Sequence, residues 1–244
     1  KLYRTGYMHN HNRMYLASIA CNVAKSHWLN PAKWMYFNLF DGDWGSNALS
    51  WQWVCGSNSN KKYYANQENI NKYCYTVQRN TFLDTDYSKF ESLPIPENLK
   101  ETENLKLSTK LPENKILKID KNNPTLIYNY YNLDPKWRQE KNYNRVFLLE
   151  PKTFEKYPVS SKCIDFAIEL SKNIKGIQIY VGSFFNLVKQ YDIKNTFYKE
   201  HPLNNYQGIE DSRDWIFESH ENIKSFFSYW KKCKKELKIK NIIK

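Results

Sequence analysis

Two short stretches gather side chains able to bind and polarise a flat ring. The first, residues 39–56, reads LFDGDWGSNALSWQWVCG and holds Asp41, Asp43, Asn47, Trp51 and Trp53. On a helix beginning near Asp43, residues Asp43, Asn47 and Trp51 fall at i, i+4 and i+8 and share one face. A carboxylate accepts a ring N–H, a carboxamide donates or accepts at another ring edge, and an indole offers a π-face. The same residues also admit a structural reading, with Asp43 capping the helix, Asn47 exposed and the indoles filling a core. The second stretch, GYMHNHNRM, places Asn10, Arg13 and Met14 at i, i+3 and i+4. Arg13 is a fixed cation with Asp41 or Asp43 as natural partner, and such pairing keeps a carboxylate charged inside a cleft. His9 and His11 are two apart and diverge on a helix, so no metal site is expected. No local signature supports a Cys–His nucleophile.

Helices must position these groups. Residues 8–25 (MHNHNRMYLASIACNVAK) carry Met8, Tyr15, Leu16, Ile19, Ala20 and Val23 close to a 3.6 period. In residues 26–40, Asn30 is a candidate N-cap with Pro31 at the first helical position. The DGD triplet then turns the chain into a third helix over SNALSWQWV. From about Gly56 to Asn123 the pattern dissolves into Asn, Lys, Tyr and Glu, broken by Pro94, Pro96 and Pro112, which reads as a long connection draped on a surface. After Pro124, TLIYNYY, RVFLLE and GIQIYVG have strand length and composition, with an amphipathic helix in SSKCIDFAIELSKNI between the last two. This βαβ punctuation predicts a parallel sheet with right-handed crossovers. NTFYKEH is a candidate fourth strand and SFFSYWKKCKKEL a closing helix. The expected class is α+β overall: an all-α portion over residues 1–84, a linker over 85–123, and a small α/β domain with a basic C-terminal helix over 124–244.

The chain has 244 residues and a formal charge of +12, which suits an anionic partner, nucleic acid being the commonest. A lysine-rich solvated surface fits the same charge. Part of the excess sits in KKCKKELKIKNIIK at residues 231–244. Five scattered cysteines without a CxxC pair predict neither a disulfide framework nor structural zinc, and a reducing cytoplasm is the expected setting. No apolar run approaches the roughly 20 residues that span a bilayer, so no membrane partner is expected. The first residue, Lys1, falls inside a running helical pattern, and further upstream sequence is expected.

TGYMHNHNRMYLAS followed about 25 residues later by LFDGDWGSNALSWQWV resembles the C-terminal part of the flavin-binding domain of the DNA photolyase and cryptochrome family. The resemblance covers residues 4 to about 66, with Trp28 in register. KKYYANQENINKY is similar to the family's next segment but departs from its Arg and Pro positions. The resemblance implies FAD as cofactor, with Asn47 facing the flavin N5, Asp41 and Asp43 near its polar edge, and Arg13 paired with the first acid. It implies Trp51 and Trp28 as the first two members of an electron-transfer chain, and Asn10, Met14 and Trp53 at a lesion pocket. Asn10 and Met14 stand where (6-4) photolyases carry histidines, which favours cyclobutane-dimer repair. His11 occupies a position where many such enzymes have arginine, at a backbone or lesion contact.

The implied function is light-driven electron transfer from reduced FAD to pyrimidine dimers in DNA, by a protein expected to be a monomer. A cryptochrome-like photoreceptor without repair activity is the alternative, and a nucleic-acid-binding module that has lost flavin is a third reading. The family's flavin-phosphate contacts and third tryptophan are expected upstream of Lys1. VGSFF and KEHPLNNYQG carry no chromophore motif, so the α/β segment is read as a structural module. An antenna-like domain in permuted order is its alternative, with any second chromophore unassigned.

Overall fold

The computed structural model describes residues 1–139, 142–217, 225–240 and 242. The first part is helical: α1 (Leu2–Thr5), α2 (Asn10–Ser18), α3 (Leu29–Asn38), α4 (Trp44–Cys55) and α5 (Gln67–Cys74). Helix α2 runs on into a π-helical turn over Ile19–Val23, a distortion frequent at functional sites. The apolar faces of α1 to α4 and of that turn meet in one cluster containing Leu2, Ala17, Cys21, Met35, Trp51 and Val54.

Two caps differ from the expectation. Helix α3 begins at Leu29, with Trp28 at the N-cap already in helical conformation (φ −61°, ψ −27°). Pro31 thus sits at the third helical position, still within the turn whose N–H groups have no intrahelical acceptor. His9 is the N-cap of α2 in extended conformation, so its ring is free of the helical divergence expected for it and stacks on His11 at 5.3 Å.

The second part is a five-stranded sheet of β1 (Thr125–Tyr128), β2 (Asn144–Leu149), β3 (Ile177–Val181), β4 (Thr196–Lys199) and β5 (Ile209–Asp211). The strand order is β3-β2-β1-β4-β5 and every neighbouring pair is parallel. Helices α6 (Pro151–Lys156) and α7 (Ser161–Ser171) connect β2 to β3, and α8 (Phe184–Tyr191) carries the chain across to β4. Parallel strands need such crossovers, and the helices bury the sheet's faces. Accordingly β1 is buried at all four positions. Helix α9 (Phe226–Ile239) follows, as the sequence predicts for residues 225–237. Residues 241, 243 and 244 of the basic tail lie outside the described residues.

Between the two parts the chain makes 3-10 turns at Tyr87–Ser92 and Glu97–Leu99 and then continues without regular secondary structure. Over residues 114–118 it closes the free edge of β3 through side-chain amides. The Asn114 carboxamide exchanges hydrogen bonds with the backbone of Val181. The Gln178 carboxamide does so with the backbone of Lys118, at 2.7 and 2.9 Å. An open strand edge is an aggregation hazard, and this segment covers it.

The helical part and the sheet share a core. Tyr36 of α3 packs in one cluster with Phe147, Leu149, Phe154, Cys163 and Ala167. No helix among the described residues is long and apolar enough to cross a membrane.

Candidate functional site

Helices α2 and α4, with the loop before α4, enclose a cleft of about 180 Å³ lined by Asn10, Arg13, Met14, Asp43, Asn47 and Trp51, among others. Pockets that enclose a drug-sized ligand typically measure about 300–1,000 Å³, so this cleft is smaller than such a pocket. The periodicity of α4 accounts for one wall of the cleft, because Asp43, Asn47 and Trp51 lie one turn apart on a single face.

Each polar group is held by an identifiable partner. Arg13 donates from Nη2 to both oxygens of Asp41, at 2.9 and 2.8 Å, and from Nε to the Met8 carbonyl at 2.7 Å. Charge-assisted bonds of this length fix the guanidinium beside the cleft. Asp43 caps α4, its Oδ1 accepting from the Ser46 N–H at 2.7 Å. The structural reading of Asp43 therefore holds, and the same carboxylate also borders the cleft. Asn47 is buried, at 9% exposure, and donates from Nδ2 to the Ala32 carbonyl of α3 at 2.8 Å. That bond commits its donor to the neighbouring helix. Among the described residues its Oδ1 accepts nothing, which leaves an oriented acceptor at the cleft wall.

Trp51 is 1% exposed and fills the helical core while bordering the cleft. Trp28 packs half-buried against the same cluster, with its own ring contact to His27 at 5.7 Å. Three other residues singled out by sequence sit apart from the cleft lining. Trp53 lies about 200° around α4 from Trp51, is 46% exposed and meets Tyr63 at 5.6 Å. His11 is sandwiched between His9 and Tyr73, at 5.3 and 5.2 Å. Asp41 reaches the site only through Arg13. Among the described residues no group of three His, Cys, Asp or Glu could hold a metal ion.

The acid-bearing loop, residues 39–43, is held from two sides. On one, the Phe40 N–H donates to the Gly6 carbonyl at 2.8 Å. Gly6 has φ +61°, and a side chain there would collide with the Phe40 ring, so this turn admits glycine alone. On the other side stands the α/β part. The Ser160 N–H donates to Phe37 O at 2.8 Å, and the Cys163 thiol points at the carbonyls of Phe37 and Leu39, both at 3.5 Å. Burial pushes the Cys163 thiol up, which keeps it protonated as a donor. Phe166 stacks on Phe40 at 4.8 Å with planes 4° apart. Sequence reasoning missed this bracing. Phe166 carried a signal as an apolar position on an amphipathic helix, but its partner lies 126 residues away.

A second concavity, of about 370 Å³, lies outside the carboxyl ends of β1 and β4, and Asp43 borders it as well. Here the strand order reverses direction, the usual ligand position of doubly wound sheets. Tyr131 and His201 stack across it at 4.4 Å, and the Tyr131 hydroxyl meets that of Tyr36. Burial, then the nearby Arg213, lowers the His201 pKa. Its cations are already engaged: Lys199 with Asp214 at 3.4 Å, and Arg213 with the Glu200 carbonyl at 3.1 Å.

Comparison with known proteins supports the resemblance of the helical part. Residues 1–88 match the family described as FAD binding domain of DNA photolyase. A deoxyribodipyrimidine photo-lyase of Agrobacterium fabrum is 42% identical over 57 residues, which is 23% of this chain and 12% of that protein. One from Streptomyces griseus is 36% identical over 62 residues, 25% of this chain and 14% of that protein. No solved structure matches the chain significantly. The N-terminal region is thus a match to the photolyase flavin domain, spanning a small share of those relatives.

Proposed function

We propose that residues 1–88 form part of an FAD site in a photolyase-type protein that repairs cyclobutane pyrimidine dimers in DNA. The observation that carries this reading is the convergence of Asn10, Arg13, Asp43, Asn47 and Trp51 on one cleft within the matched residues. The residues fit the group. Asn47 offers an Oδ1 that accepts nothing among the described residues, suited to a ring N–H, while its Nδ2 is tied to Ala32. The Arg13–Asp41 pair supplies a fixed cation next to a charge-bearing ring system, where an isolated buried charge would be costly. Asp43 adds a carboxylate acceptor at the helix N-terminus.

FAD, when bound and reduced, would supply the light-promoted electron that splits the dimer. The chain's own residues orient and shield. Trp51 and Trp28 border one apolar cluster, through which an electron could reach the cleft from the surface. Met14 and Asn10 also line the cleft, and in this reading they would border a flipped-out dimer. Trp53 and His11 lie outside the lining, so any lesion contact from them needs another part of the surface. A basic chain of +12 supplies phosphate attraction.

The test is a light-dependent dimer-repair assay on the complete protein, with absorbance recorded first. Bound flavin and light-dependent repair, lost on Asn47→Leu, are expected. Flavin without repair would favour the photoreceptor reading, and colourless protein would remove both.

A further inference from the structure

A column of near-parallel rings stands at the N-terminus of α2. His9 stacks on His11 at 5.3 Å with planes 16° apart, and His11 stacks on Tyr73 of α5 at 5.2 Å with planes 11° apart. The Lys72 ammonium lies over the Tyr73 ring, 5.5 Å from its centroid. His9 ends the column: it is exposed, and among the described residues it has no second ring partner. The column is fixed from beneath. His11 also meets the buried Tyr15 at 6.2 Å, whose hydroxyl donates to Asn69 Oδ1 of α5 at 3.0 Å. The Cys74 thiol donates to Asn12 Oδ1 at 3.2 Å, a second tie between α5 and α2. The rings are therefore ordered before any ligand arrives, which lowers the cost of binding one.

The helix start below the column is unusual. At an N-cap, Ser, Thr, Asp or Asn would accept from an N–H of the first turn. His9 makes no such bond, and no acid stands in that turn. Its ring is turned into the stack instead, and the first-turn N–H groups keep their partial positive charge for an anion. An exposed π-face beside an acid-free helix N-terminus suits a ligand that is both flat and anionic. An apolar side chain or acyl chain leaves the N–H groups unanswered, and a bare phosphate leaves the ring so. A nucleotide answers both, with its base on His9 and its phosphate at α2. The next residue, Asn10, lines the cleft, which puts the column beside the place proposed for the dimer.

We infer that the His9–His11–Tyr73 column stacks an unpaired base of the DNA next to the flipped-out dimer. That the base belongs to damaged DNA rests on the function proposed above, while the ring geometry does not. The stack would hold open the gap that flipping leaves in the duplex, and so favour the extruded dimer.

The test compares the full chain with His9→Ala and His9→Phe, at an exposed position where neither change removes core packing. Binding is measured in the dark on three duplexes: one undamaged, one carrying a thymine dimer, and one carrying a two-base bulge without damage. Loss of one base–aromatic stack should make His9→Ala bind the dimer and bulged duplexes about fivefold or more weakly. His9→Phe keeps a π-face and should recover most of that affinity. Equal losses in the two variants would assign the contact to the imidazole N–H or its charge and overturn the proposal, as would unchanged binding by His9→Ala. Abasic residues placed opposite the dimer, or on either flank of it, identify the stacked base. In one of these arms the effect of His9→Ala should vanish, and an effect that persists in all of them would overturn the stack. Wild type that binds the dimer and undamaged duplexes equally would sink the repair reading. The bulged duplex then tests the column by itself: the same loss on His9→Ala leaves the stack standing, and no loss, or no binding of that duplex by the wild type, removes it.

Discussion

Replacing Asn47 by aspartate tests the orientation on which the cleft depends. In the wild type Nδ2 donates to the Ala32 carbonyl at 2.8 Å inside the protein. Asn47→Asp keeps the shape and puts a carboxyl oxygen in place of that donor. Protonated, the new carboxyl can still donate to Ala32, and the cost should be about 1 kcal/mol or less. Ionised, it sets two acceptors against each other in a buried place. Losing the bond and repelling the carbonyl together cost about 2–3 kcal/mol. The folded state thus binds this proton more tightly than the unfolded chain, where aspartate titrates near about 3.9. Below that pH both states are protonated and the variant is nearly as stable as wild type. As pH rises the unfolded chain releases its proton first, so stability falls by up to about 1.4 kcal/mol per pH unit until the folded group also ionises. The loss should level off near about pH 5.5–6. Urea unfolding of both chains at pH 4, 5, 6 and 7.5 measures it. A stability difference that does not change with pH would refute the Nδ2–Ala32 orientation, and with it the free acceptor at the cleft.

Trp51→Ala, at a residue 1% exposed, should destabilise the chain by about 3–5 kcal/mol in denaturant unfolding. Trp51→Phe keeps most of the packing, so in the complete protein it should retain flavin and lose its photoreduction, read by transient absorption. Asp211 accepts from Arg138 at 2.6 and 2.8 Å and from the Trp137 indole at 2.8 Å. Asp211→Asn should cost about 2 kcal/mol at pH 7. The Arg138 guanidinium, and after it the indole, hold this carboxyl below the usual carboxylate range. Its stabilisation is complete above about pH 4 and is lost as pH falls through the depressed folded value. Thermal unfolding between pH 3 and 7 should show the gap between the two chains closing at the acid end.

Periodicity made the cleft wall legible because its residues are local: one face of α4 and one turn of α2 suffice to assemble it. The parallel sheet was equally legible, since strands buried on both faces write continuous apolar runs such as Val146–Leu149. Three kinds of feature were not. Strand β5 has the sequence Ile-Glu-Asp, too short and polar to stand out, and exists because β4 offers it an edge. Helix α8 leaves a signal, with Ser183 capping and Phe184, Leu187, Val188 and Tyr191 at helical spacing, but it follows β3 so closely that the two periods merge. The placement of Trp53 is the third. An adjacent tryptophan reads alike whether it faces a cleft or solvent, and only the rotation of α4 against α3 decides which indole is buried.

The position of the acid loop shows why the α/β part matters to chemistry it does not line. Asp41 and Asp43 sit on a turn whose backbone makes few bonds of its own, among them the 3.3 Å Gly42–Leu39 bond. Left to itself, such a turn would sample many conformations, at about 1–2 kcal/mol of entropy per residue fixed. The order comes from outside: Gly6 on one side, and on the other Cys163 at Leu39 and Phe166 at Phe40, with Ser160 holding the end of α3 at Phe37. Two hydrogen bonds at about 1 kcal/mol each and a stacked aromatic pair at about 0.5–1.5 kcal/mol are of the size needed to hold two or three residues in place. The sheet's helix α7 is therefore a brace for the carboxylates. Distortion of the cleft is expected from damage to α7 even where every cleft residue is intact, because the geometry of Asp43 and of the Arg13–Asp41 pair is set across the boundary between the two parts.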